Sequence, residues 1–148
     1  MSLIQAQARF GKTGISILTP EAMGHNADLL AGLVRDIADY APGITPEWLI
    51  ESLMNGVVTG WLIDNRALGV TEVQMRPAQR VLFIAWLAGE GADDWLGDWL
   101  DALQHFAEAT QCAGIELQGR RGFARKFPAL VEHFGFKPLG VLYRAEVG

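Results

Sequence analysis

Cysteine is almost missing from this chain: Cys112 is the only one in 148 residues. It has no partner for an intramolecular disulfide and cannot build a four-thiolate zinc site, so a reducing intracellular compartment is expected. No histidine or lysine lies close in sequence to activate it, and a small buried side chain is the reading its surroundings favour. Long apolar runs are also missing. None approaches the ~20 residues of a membrane span, and Met1 to Thr13 has no signal-type apolar core, so a cytoplasmic protein is expected. Positive charge is in deficit. Twelve Lys and Arg against seventeen Asp and Glu give a formal charge of −5, which argues against a nucleic-acid partner held by phosphate attraction. The three histidines, His25, His105 and His133, are scattered and never form an i, i+4 pair with a third ligand nearby, so no metal is expected. Gly11-Lys12-Thr13 looks like the tail of a phosphate-binding loop, but Ala6 stands where its first glycine belongs.

What is present describes one domain. Half of the residues are hydrophobic and a fifth are charged, and a chain of this length buries roughly 68–70% of its unfolded surface without staples. No repeat or Pro/Ser linker divides it; a single unit runs from about residue 13 to the end, with residues 1–12 expected to be an extended or flexible N-terminal segment. Gly14 to Thr19 reads as a strand, and Thr19-Pro20-Glu21 then opens a helix with a hydroxyl cap and a proline in its first turn. Leu29, Leu30, Leu33, Val34, Ile37 and Tyr40 form its apolar face, and Ala41-Pro42-Gly43 ends it. Thr45-Pro46-Glu47 repeats the opening signal for a second helix ending at Asn55-Gly56. The period then becomes extended. Val57–Ile63, Ala67–Met75 and Val81–Leu87 predict an antiparallel meander, the third run apolar on both faces like a central strand.

Asp93 to Gln111 carries Leu96, Trp99, Leu100, Leu103, Phe106 and Ala107 on one stripe, the strongest helical signal in the chain. Ile115–Gln118 is a short strand, and strand, helix, strand in this order predicts a parallel crossover. Phe123 to Phe134 has helical spacing interrupted by Pro128, and Phe136 to Val147 is a final strand or hairpin. The predicted fold is a mixed-sheet α/β domain of order β-α-α-β-β-β-α-β-α-β. Trp95 and Trp99, four apart, are core residues or, if partly exposed, the anchor of a homodimer or partner surface.

That order, with Gly114-Ile115-Glu116-Leu117, Gly119-Arg120-Arg121-Gly122-Phe123, His133-Phe134-Gly135-Phe136 and Tyr143-Arg144, resembles the GCN5-related N-acetyltransferase (GNAT) superfamily over about residues 13–147. Leu87-Ala88-Gly89 before a helix bearing Trp95 and Trp99 resembles a short branch of GNAT-like proteins encoded by phages and prophages. The resemblance implies an N-acyltransferase that uses acetyl-CoA on an amine acceptor, small molecule or protein, or else a catalytically idle relative kept as a binding or virion-associated component. It places acetyl-CoA between the fourth and fifth strands, with its pyrophosphate on amides at the start of the following helix. The positions so implied are Leu87, Ala88, Gly89, Gly91 and Ala92.

The family's loop pattern is only partly kept: with Gly91 as its first glycine, Ala88 occupies the basic position and Asp93 the second small one. Asp93 and Asp94 are expected to accept the amide bonds a pyrophosphate would use. Arg120, Arg121, Arg125 and Lys126 hold four of the twelve basic residues within seven positions and either take over anion binding or form a solvated basic turn. The tyrosine acid of the family is replaced by Val131, leaving Tyr143 as a candidate. Glu72, Glu90 and Glu116 are the candidate bases, each with a structural alternative.

Overall fold

The computed structural model describes residues 14–118, 123–139 and 142–147. The order is β1 (Ile15–Ile17), α1 (Pro20–His25), α2 (Ala27–Tyr40), α3 (Pro46–Met54), β2 (Thr59–Ile63), β3 (Ala67–Met75), β4 (Arg80–Gly89), α4 (Ala92–Ala109), β5 (Gly114–Gln118), α5 (Phe123–Lys126), α6 (Pro128–Phe134), β6 (Lys137–Leu139) and β7 (Leu142–Glu146). Thr19 and Thr45 cap their helices through side-chain oxygens, as Thr-Pro-Glu predicts. The expected single first helix is two. Asn26 interrupts it at φ −120°, ψ 27°, its own N–H and Nδ2 both bonding back to the Ala22 carbonyl before α2 begins, the local side-chain competition that makes asparagine a poor helix interior residue.

The strands form one sheet in the order β1-β2-β3-β4-β5-β7-β6. All neighbours are antiparallel except β4 and β5, the predicted parallel pair. β4 is central, which explains why its sequence is apolar on both faces.

Alternation along the strands feeds two apolar layers. Trp61, Ile63, Leu82 and Ile115 meet Trp95, Trp99, Leu100 and Leu103 of α4 on one face. Leu62, Leu68 and Val70 meet Leu30, Val34 and Ile37 of α2 and Leu49 of α3 on the other. Gly69 allows α4 to approach this closely, because a Cβ there would stand 2.3 Å from the Trp99 ring. Trp95 and Trp99 are both buried. They belong to the core and are unavailable as a surface anchor.

Candidate functional site

β4 behaves differently along its two halves. From Val81↔Gly114 to Ile84↔Leu117 it pairs with β5, and past Ile84 no further pairing joins the described residues of the two strands, while β5 continues against β7 as far as Gln118↔Leu142. The break coincides with a bulge: Val70 pairs with Trp86 and Thr71 with Ile84, leaving Ala85 without a partner on β3. An extra residue shifts the alternation of main-chain groups by one. In the first half the Arg80 carbonyl accepts from Ala113 N–H at 2.8 Å, so even-numbered residues face β5. Beyond Ala85 the odd-numbered ones do, and Leu87 presents both its N–H and its C=O to the open edge. Tyr40, the last residue of α2, fills that position. Its hydroxyl accepts from Leu87 N–H at 3.0 Å and donates to the Leu87 carbonyl at 2.9 Å, while its side chain stays 43% exposed.

The open half runs into the start of α4. Leu87 packs toward α4 and Ala88 is buried toward α2 and α3. Gly89 closes β4 opposite Ala67. Gly91 is the N-cap at φ 78°, and no described side chain caps the helix. This corrects the expectation that Asp93 and Asp94 cap these amides. Both acids lie in the first turn, but Asp94 accepts from Arg66 Nη2 at 3.0 Å. Arg66 comes from the β2–β3 turn, where Asp64 and Asn65 adopt positive φ, and its Nε also meets Asp64 at 2.9 Å. The Asp94 hydrogen bond raises the Arg66 pKa further above its ordinary value. The guanidinium lies over Gly91 so closely that a Cβ there would be 2.3 Å from Nη1. Glu90 is exposed, its carbonyl bound by Trp95 Nε1 at 2.8 Å, and Ala92 leans on the α4 core. The helix dipole, the uncapped amides and one arginine thus converge where an anion would be held.

The closed half carries a different cluster. Glu72, Phe83, Glu116 and Arg144 lie opposite one another across β3, β4, β5 and β7, hence on one face. Glu116 is 1% exposed. Arg76 grips it bidentately at 2.8 and 2.9 Å, and Arg144 adds a bond at 3.1 Å. The Arg76 hydrogen bond, working against burial, holds the Glu116 carboxyl below the usual carboxylate range. Such a group binds protons reluctantly. Glu72, half-buried, accepts from Gln74 Nε2 at 2.7 Å. Tyr143 pairs with Leu117, and its ring packs against the α4 core. Arg125 is exposed on α5, whereas Arg120 and Arg121 lie outside the described residues. Val131 also packs on the α4 core. Among the described residues no group of His, Cys, Asp and Glu could hold a metal, and no helix is long and apolar enough to cross a membrane.

No family model and no curated protein matches the sequence. Solved structures do match. A probable acetyltransferase from Staphylococcus epidermidis superposes with a TM-score of 0.70 at 10% identity, over 92% of this chain and 99% of that one. An acetyltransferase of the GNAT family from Streptococcus agalactiae gives 0.59 at 13% identity, over 94% and 98%. The fold is that of the GCN5-related N-acetyltransferases. Arabidopsis thaliana NAA60 in complex with acetyl-CoA superposes with a TM-score of 0.63 at 10% identity, over 92% and 99%. The mixed sheet with a single parallel pair at its centre is thus the architecture that the element order predicts.

Two residues at the open end escaped sequence reading. Tyr40 reads as one more member of an apolar helix face, and its partner is main chain 47 positions away. Arg66 reads as part of a hairpin break, and only the fold brings it to Gly91 and Asp94, the latter 28 positions away.

Proposed function

We propose that this protein is an N-acyltransferase that moves an acetyl group from acetyl-CoA to an amine, working in the cytoplasm. The observation that carries this reading is the open half of β4, whose edge pairs with no strand among the described residues and leads directly to an α4 N-terminus that no described side chain caps. The residues fit such a ligand. Main-chain groups of Leu87 and Gly89 offer strand-like hydrogen bonds to an amide-bearing arm, while Gly91, Ala92 and Arg66 offer amides and positive charge to a pyrophosphate. The sequence adds Arg120, Arg121 and Arg125 as the basic residues expected to meet the nucleotide phosphates. Acetyl-CoA contributes an activated acyl carbon and a thiolate leaving group.

The amine must lose a proton as it attacks. Glu72 is the carboxylate we assign to this task, acting through water, because Glu116 is held ionised by two arginines and Glu90 stands out on the loop. Glu72 also lies two residues along the sheet from the bulge, since its partner is Phe83. Tyr143, the other candidate for proton transfer, packs on the α4 face of the sheet and Glu72 lies on the opposite face, so no role beside Glu72 is assigned to it.

A catalytically idle relative, of the phage or prophage type the Leu87-Ala88-Gly89 passage resembles, is the second reading, favoured by Val131 and by the Tyr40 hydroxyl on Leu87. Thermal unfolding with and without millimolar acetyl-CoA separates the two. A ligand at 100 times its dissociation constant adds about 2.7 kcal/mol, which in a domain of this size is roughly 5–10 °C. That rise is the expected result, and no shift would overturn the acyltransferase reading.

A further inference from the structure

Tyr40 takes no part in the acyl-transfer chemistry, yet its hydroxyl sits on the open edge of β4. A tyrosine hydroxyl is one donor and one acceptor on a single oxygen. Here both are spent on the N–H and C=O of one strand residue, Leu87, at 3.0 and 2.9 Å. A secondary amide offers the same pair of functions, one N–H and one C=O. Any extended, amide-bearing arm that adds itself to the open edge of β4 must therefore take the bonds that Tyr40 now holds.

The contact belongs to Tyr40 alone among the apolar residues of α2. Leu30, Leu33, Val34 and Ile37 are buried in the core, whereas the Tyr40 ring is 43% exposed at the helix end. It is followed by Ala41-Pro42-Gly43, with Gly43 at φ 79°.

We propose that Tyr40 is a specificity-determining residue: its hydroxyl competes with the amide-bearing arm of an acyl-CoA for Leu87, so that only ligands whose arm displaces it bind with full strength. This rests on the acetyl-CoA reading. The consequence is selective, because the nucleotide end of such a ligand lies toward Gly91 and Arg66 and leaves Leu87 untouched. In the free Tyr40→Phe protein, water replaces the phenol on Leu87, and a ligand arm displaces that water instead of a preorganised hydroxyl.

The test compares wild type and Tyr40→Phe by calorimetric titration with acetyl-CoA and with adenosine 3′,5′-bisphosphate, which lacks the arm, alongside amide hydrogen exchange at Leu87. Tyr40→Phe should bind acetyl-CoA about three- to tenfold more tightly, the equivalent of one hydrogen bond's net worth. Affinity for the bisphosphate should be unchanged. Leu87 should exchange slowly in wild type, faster in Tyr40→Phe, and slowly again once acetyl-CoA is added to the variant. Equal or weaker binding of acetyl-CoA by the variant overturns the competition and leaves the acetyl-CoA site standing. Tightening of the bisphosphate to the same degree also overturns it, since the effect would not concern the arm. Absence of acetyl-CoA binding to either protein overturns both the competition and the acyltransferase reading. Fast exchange at Leu87 in the wild type overturns the contact itself.

Discussion

The two halves of β4 are both almost wholly apolar and do opposite things. Val81 to Ile84 is paired on both edges and flanked by the Glu116, Arg76 and Arg144 cluster. Ala85 to Gly89 keeps its β3 edge, leaves the other to Tyr40, and ends beneath Arg66. Side-chain hydrophobicity does not separate them, for Leu82 and Leu87 both face the α4 core. One extra residue does. By shifting the main-chain alternation, Ala85 turns a rung of the ladder into a set of groups that something other than a strand can bind.

The largest expected effect follows from removing that residue. Deleting Ala85 would exchange the faces of Trp86, Leu87 and Ala88, taking Trp86 from its edge-to-face contact with Trp48 at 6.1 Å. A loss of at least the about 3–5 kcal/mol of a large aromatic truncation is expected in urea unfolding. A stability within 1 kcal/mol of wild type would mean that the bulge does not set the two halves apart.

Glu116→Gln attacks the closed half instead. Two arginines lose a charged acceptor, at a cost of about 1.5–3 kcal/mol near neutral pH, while the open half should bind acetyl-CoA as before. The pH dependence has a definite sign. The Glu116 pKa is lowered in the folded state, so its contribution is fully present above the unfolded carboxylate value and is lost as pH falls through the lower folded one. Unfolding measured against pH should show a shallower acid limb in Glu116→Gln, and an unaltered limb would contradict the ionised, doubly gripped carboxylate.

Gly91→Ala tests the mouth. A non-glycine residue in the left-handed region costs about 1–2 kcal/mol, and the new Cβ must also push Arg66 aside. Combining it with Arg66→Ala should recover the steric part and leave the backbone part, as a double-mutant cycle by thermal unfolding would show. Arg66→Ala alone should have the smallest effect on stability, at most about 1 kcal/mol, because its ion pairs are exposed. Its effect belongs in binding: acetyl-CoA should bind more weakly to it and less tightly still as salt rises.

The sequence exposed what is local. The stripe through Leu96, Trp99, Leu100 and Leu103 announces α4 because helical period and burial coincide there, and the apolar run Val81–Leu87 announces a central strand for the same reason. The parallel crossover to Gly114–Gln118 follows from a strand-helix-strand order. Asp94 shows where local chemistry misleads. An acid in a first turn is a natural cap, but Gly91, free to adopt a positive φ, takes the N-cap position, and Arg66 claims the carboxylate. Glu116 is legible as a strand residue and illegible as a clamp, because its Arg76 partner is 40 positions away. Tyr40 and Leu87 are hidden more deeply, since one partner is main chain and its direction depends on a bulge that no side-chain pattern reveals.

The central claim is that the open half of β4, together with the start of α4, forms an acyl-CoA site while the Glu116, Arg76 and Arg144 clamp of the closed half is structural. Amide chemical shifts followed by nuclear magnetic resonance during an acetyl-CoA titration test it residue by residue. The account predicts saturable changes concentrated between Ala85 and Asp94 and at Tyr40, with Val81 to Ile84 and Glu116 nearly still. No change at millimolar acetyl-CoA, or changes centred on the Glu116 cluster, would contradict it.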